Sequence, residues 1–192
     1  MVDILISGGP VMIPLGILSL VAVAGLVRLF EELGGELRLG EPVTRSQSGR
    51  DLMLAVDLSG SMREQDFVLA ERRVDRLTAT KRVAGDFIQR RVGDRLGLIL
   101  FGERAYLQAP LTFDRETVRS LLLESAIGLA GAEATAIGDA VALAVDRIKE
   151  TKAKSKVVIL LSDGESNAGV VTPEEAAEAA KAYGVKIYSI GV

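Results

Sequence analysis

The sequence predicts an α/β fold built on a doubly wound, mostly parallel sheet, and three observations predict it. Apolar runs of strand length recur between residues 51 and 192. Segments with apolar residues at helical spacing separate them. The runs are apolar throughout rather than alternating, which is the signature of strands covered on both faces by helices.

Leu52–Val56 is the first strand, and Arg76–Arg91 the first helix, with Leu77, Val83, Ala84, Phe87 and Ile88 on one face. Leu96–Phe101 is the second strand. Ala105–Ala109 is a short third strand after a Gly102-Glu103-Arg104 turn. Arg115–Glu124 reads as a helix entered through Asp114 as its cap. Gly138–Lys149 is the next helix, with Ala140, Val141, Ala144, Val145 and Ile148 aligned. Val157–Leu161 is the fourth strand. Thr172-Pro173-Glu174-Glu175 combines a capping hydroxyl, a proline at the first helical position and acids in the first turn. The helix it starts stops at Gly184, and Val185–Ile190 is the fifth strand.

Composition narrows the chemistry. The 192-residue chain contains neither Cys nor His, which removes disulfides, thiolate and imidazole metal sites, and Ser-His or Cys-His catalysis. A net charge of −3 leaves no footprint for nucleic acid. Aromatic residues make up 4% of the chain, so the core is aliphatic.

The mean hydropathy of +0.30 reflects a segment apart from the sheet pattern. From Ile4 to Val27 no residue is charged, longer than the roughly 18 apolar residues that mark a membrane-spanning helix. Residues 1–30 are therefore expected to form one transmembrane helix, with 31–48 a solvated juxtamembrane linker and 49–192 the folded domain. A cleaved signal peptide fits less well, because no Lys or Arg precedes the apolar stretch. Ile6-Ser7-Gly8-Gly9-Pro10-Val11-Met12-Ile13-Pro14-Leu15 resembles the opening of stator and biopolymer-transport proton-channel subunits. Arg28, Arg38, Arg45 and Arg50 all follow the segment, and the positive-inside rule places the domain in the cytoplasm.

The chemistry concentrates where the first strand ends. Asp57, Ser59 and Ser61 alternate through a glycine-containing turn, offering a carboxylate and two hydroxyls. Small hard-oxygen donors suit a Mg²⁺-sized cation. The fourth strand ends in Ser162-Asp163-Gly164, and Thr135 lies between in Ala134-Thr135-Ala136-Ile137-Gly138-Asp139. Each residue alone has an ordinary use: Asp57 as a turn former, Thr135 as a helix cap, Asp163 before a turn glycine. Their conjunction is specific. In doubly wound sheets ligands sit beyond the carboxyl ends of the strands near the switch in strand order, where both acidic loops fall.

This set resembles the metal-ion-dependent adhesion site of von Willebrand factor A (VWA) domains: Asp-x-Ser-x-Ser, then Thr, then Asp. The resemblance covers about residues 49–192 and is closest to the membrane-anchored VWA proteins of the bacterial Bat (aerotolerance) type. It rests also on Gly49–Asp57, Thr135–Ala140 and Leu160–Gly169. It implies a Rossmann-like VWA fold, with Ser59 and Ser61 binding Mg²⁺ (or Mn²⁺) directly and Thr135 directly or through water. Asp57 and Asp163 would act through water and hydrogen bonds. It further implies a protein partner that supplies an acidic residue to the metal, an associated MoxR-type AAA⁺ ATPase or other VWA membrane proteins, and the periplasmic side of a bacterial inner membrane. Glu103, Glu133 and Glu165 are candidates for the rim, or plain solvated loop charges. VWA domains usually continue beyond a fifth strand, so the domain is expected to be C-terminally incomplete at Val192.

Other functions share parts of this pattern, although no Gly-x-Gly-x-x-Gly turn follows the first strand as a dinucleotide-binding enzyme would need. A haloacid-dehalogenase-like phosphatase also places an Asp after its first strand, but it needs a second Asp two residues on, where this chain has Ser59. A VWA subunit of a chelatase-type AAA⁺ assembly shares the site, and the sequence does not separate it from a docking module.

Overall fold

A computed structural model describes residues 49–69 and 71–192. The expected transmembrane segment and linker lie outside the described residues. Among the described residues, no helix is long and apolar enough to cross a membrane.

Five strands form the main sheet in the order β5-β4-β1-β6-β7. They are β1 (Asp51–Asp57), β4 (Arg95–Phe101), β5 (Ala105–Thr112), β6 (Lys156–Ser162) and β7 (Lys186–Gly191). β1 pairs in parallel with both β4 and β6, and β6 with β7. β5 is antiparallel to β4 at one edge, with irregular register around Leu98, and runs three residues past the predicted Ala109. The doubly wound, mostly parallel prediction holds. Four α-helices are described: α1 (Arg76–Arg90), α2 (Arg115–Glu124), α3 (Ile137–Ile148) and α4 (Pro173–Ala182).

Strand alternation divides the core in two, because successive side chains leave opposite faces. Leu52, Leu54 and Val56 join Leu98, Leu100, Ile159 and Leu161 on one face, under Phe87 and Ile88 of α1 and Val118 and Leu122 of α2. Met53 and Ala55 join Ile99, Phe101, Val158 and Leu160 on the other, under α3 and α4. All seven β1 residues are buried, including Asp51, whose carboxylate takes Nε and Nη2 of Arg95 at 2.7 and 2.6 Å. Leu54 sits at the centre with no exposed surface. Leu54→Ala is expected to lower stability by about 3 kcal/mol through lost burial and a residual cavity. Urea denaturation should show it as a lower midpoint at unchanged slope.

The helix ends follow their sequences. Asp75 and Asp114 accept hydrogen bonds from the Thr78 and Thr117 amides, and Thr172 with Glu175 closes a capping box on α4. Two elements between β1 and α1 fall outside the predicted pattern. Gly60–Arg63 forms a 3₁₀ turn, and β2 (Phe67–Leu69) pairs antiparallel with β3 (Arg72–Val74), Glu71 standing in the left-handed region at φ 63°. This insertion leads from the site loop into α1.

Candidate metal centre

The carboxyl ends of β1 and β6 lie side by side, and strand order reverses between them. The predicted donors meet there. Asp57 ends β1 wholly buried. Its Oδ1 accepts the Ser59 amide at 2.8 Å and its Oδ2 accepts the Ser162 hydroxyl at 2.6 Å. Burial pushes the Asp57 carboxyl above its ordinary range, and the bonds from Ser162 and Ser59 oppose that push.

The loop after Asp57 turns the hydroxyls toward one another. Ser59 Oγ lies 3.0 Å from Ser61 Oγ, and the Ser61 hydroxyl donates to Asp163 Oδ1 at 2.7 Å. Ser59 is buried and Ser61 exposed, so the cluster runs from interior to surface. Gly60 allows this path: its amide donates to Ala132 O at 2.9 Å, and a Cβ there would meet that same oxygen at 2.9 Å.

Thr135 arrives on the loop before α3. It does not cap that helix, whose cap position is Ala136 with no side-chain bond, so its ordinary structural use is not the one realised. The Thr135 amide donates to Asn167 Oδ1 at 2.8 Å, and its carbonyl accepts the Asn167 amide at 3.1 Å. Its Oγ1 faces Gly164, where a Cβ would stand 3.7 Å away. Asn167 thus ties the Thr135 loop to the Asp163 loop. Neither Asn167 nor Ser162 was singled out from sequence, although both lie within the stretches quoted for the family resemblance.

Arg76 is a further neighbour that sequence reading passed over as a plain helix residue. Its Nη1 donates to Asp163 Oδ2 at 2.7 Å, while Nε and Nη2 grip Asp66 at 3.1 and 2.6 Å. Hydrogen bonding to Asp66 chiefly, and to Asp163, raises the Arg76 pKa, and Asp66 is lowered in turn by its bond to Arg76. The Asp163 carboxylate is fully buried by these partners although its backbone is partly exposed.

The donor set fits a small divalent cation. Octahedral Mg²⁺ with oxygens at 2.0–2.1 Å spaces adjacent ligands about 2.9 Å apart. The Ser59–Ser61 hydroxyl separation of 3.0 Å matches that spacing, and the Asp163 carboxylate stands 2.7 Å from Ser61 Oγ, where it orients that hydroxyl. Among the described residues no three carboxylates gather into a site of their own, so hydroxyls would make up much of the set. Of the rim acids, Glu103 is occupied structurally: its Oε1 accepts the Glu133 amide at 3.1 Å and its side chain covers Gly131. Glu133 and Glu165 are exposed.

A doubly wound sheet that presents hydroxyls and two carboxylates at its carboxyl edge defines an α/β domain with an oxygen-donor cluster beyond its strand ends. Residues 51–192 match the von Willebrand factor type A domain, and the chain belongs to that family. Its fold is similar to an uncharacterised membrane-spanning protein from Vibrio fischeri, 53% identical, with a TM-score of 0.52 over 74% of this chain and 70% of that one. It is also similar to an aerotolerance-related membrane protein from Bacteroides fragilis, 28% identical, with a TM-score of 0.65 over 75% of this chain and 68% of that one. The expected likeness to Bat-type membrane proteins is borne out. The chain is 28% identical over 174 residues to an uncharacterised protein of Borreliella burgdorferi, covering 91% of this chain. It spans about half (49%) of the length of that curated relative.

Proposed function

We propose that this chain is a membrane-tethered VWA module that docks a partner protein through Mg²⁺ held at Asp57, Ser59, Ser61, Thr135 and Asp163. The observation that carries this reading is the chain of short contacts from Ser59 Oγ through Ser61 Oγ to Asp163, at 3.0 and 2.7 Å, beside the buried Asp57. Hydroxyl donors leave a divalent ion under-neutralised, so it attracts an outside carboxylate. An Asp or Glu of a partner supplies one. The apolar segment from Ile4 to Val27 is the tether. A MoxR-type AAA⁺ ATPase and other VWA membrane proteins are the partners that the Bat likeness suggests, with the domain on the periplasmic side.

The phosphatase alternative fares poorly. An attacking carboxylate must reach a phosphate, but both oxygens of Asp57 are hydrogen-bonded and buried. Ser59 stands where the acid-base carboxylate is needed.

Calorimetric titration of Mg²⁺ into the full chain in mild detergent tests the reading. Saturable binding is expected in the wild type, and Ser59→Ala should weaken it at least tenfold by deleting a direct donor. A folded wild type that binds neither Mg²⁺ nor Mn²⁺ would overturn it.

A further inference from the structure

Asp163 enters the site already paired. One oxygen takes the Ser61 hydroxyl and the other the Arg76 guanidinium, so no part of this carboxylate is left to solvent. Arg76 is fixed from three sides: its amide donates to Glu64 O at 3.1 Å, and its side chain spans Asp66 and Asp163. Its side chain is 13% exposed, whereas Asp66 is 44% exposed and farther out. The guanidinium charge is therefore held against the metal donors, with its compensating carboxylate on the solvent side.

We infer that Arg76 is a resident counter-ion that sets the metal affinity of this site. The inference rests on the proposed metal reading and deepens it. A divalent cation drawn to Asp163 shares that carboxylate with a fixed positive charge, and like charges at such range repel. At close range the guanidinium offsets part of the negative charge that Asp57 and Asp163 bring, because Asp66 compensates it only from the solvent side. Metal held by the free protein is consequently weak, and an outside carboxylate restores the missing negative charge. Arg76 also holds Asp163 away from direct ligation, the indirect role that the family resemblance implies for it. Arginine suits the task because its planar fork engages two carboxylates at once and stays charged at any working pH.

The test is Mg²⁺ calorimetry on full-length wild type, Arg76→Gln, Arg76→Lys and Asp66→Asn, with circular dichroism to verify folding. Arg76→Gln removes the charge and should bind about tenfold more tightly. Arg76→Lys keeps the charge and should stay within about threefold of wild type. Asp66→Asn strips the outer counter-charge and should bind about threefold more weakly. Opposite signs for Arg76→Gln and Asp66→Asn are the signature, since a purely structural bridge would weaken binding in both. Binding by Arg76→Gln that is equal to or weaker than wild type overturns the inference while leaving the metal reading intact. If Arg76→Gln does not fold, unchanged or tighter binding by Asp66→Asn overturns it. Absence of binding in wild type and all variants overturns both.

Discussion

Asp57→Asn is expected to abolish Mg²⁺ stabilisation while leaving the metal-free protein at least as stable as wild type. The two halves of this result come from one environment. Asp57 has no exposed surface, and burial raises its pKa above the ordinary carboxylate value. A carboxyl whose folded pKa is raised stabilises the fold below its unfolded pKa, and that contribution is lost as pH rises through the folded value. Once pH has risen through that value the buried anion opposes folding unless a cation compensates it. Asparagine removes the charge and keeps the contacts: its Oδ1 still accepts the Ser59 amide, and its amide nitrogen donates to Ser162 Oγ, which can accept. Metal binding responds the other way. A divalent ion and a carboxylate about 4 Å apart attract by about 2 kcal/mol even at water's dielectric constant, so losing the charge costs about thirtyfold or more in affinity. Thermal unfolding in chelator and in excess Mg²⁺ separates the two effects, because a ligand bound only by the native state raises Tm. Wild type should gain Tm with Mg²⁺ and the variant should not. A variant that melts well below wild type in chelator would show that Asp57 is a structural anion. A variant with an undiminished Mg²⁺ shift would remove Asp57 from the site.

The sheet was legible in the sequence because its signals are local. Leu52–Val56 and Val157–Leu161 are continuous apolar runs with no competing reading, and Thr172-Pro173-Glu174-Glu175 specifies a helix start by itself. The insertion between Gly60 and Val74 was not legible. β2 and β3 have three residues each, too short for a period to emerge, and the turn places Glu71 at positive φ without a glycine to announce it. The site divides in the same way. Asp57, Ser59 and Ser61 announce themselves by spacing within one turn. Arg76 comes to Asp163 only through the fold, 87 positions away in sequence, and nothing about an arginine opening a helix sets it apart. Ser162 is similar: it reads as the last residue of a strand, and only the pairing of β1 with β6 puts its hydroxyl on Asp57. Electrostatic partners contributed by distant elements were thus what the sequence concealed, and these partners set the strength of the site rather than its location.

Gly138→Ala is expected to be the most disruptive one-carbon change near the site. Gly138 lies in the first turn of α3, three residues after Thr135, and is buried against the chain entering α4. A Cβ there would stand 1.9 Å from the carbonyl oxygen of Val171 and 2.7 Å from the carbonyl carbons of Val171 and Thr172. All three contacts are backbone, so no side chain can rotate away. Alanine ordinarily favours a helix over glycine by up to about 1 kcal/mol, but here overpacking of typically 1–3 kcal/mol or more outweighs that gain. Nor can the Val171 segment retreat freely, because Asp139 Oδ1 accepts the amides of Val170 and Val171 at 2.9 and 2.8 Å, and Thr172 closes the capping box on α4. Strain must then pass to the start of α3, and with it to Thr135. The expected net loss is about 2 kcal/mol, a fall in Tm of roughly 4–8 °C for a domain of this size, with Mg²⁺ affinity reduced although no donor is altered. Differential scanning calorimetry together with Mg²⁺ titration would measure both effects. An alanine variant with wild-type Tm would mean that α3 and α4 slide apart easily, and that the position of Thr135 does not depend on their packing.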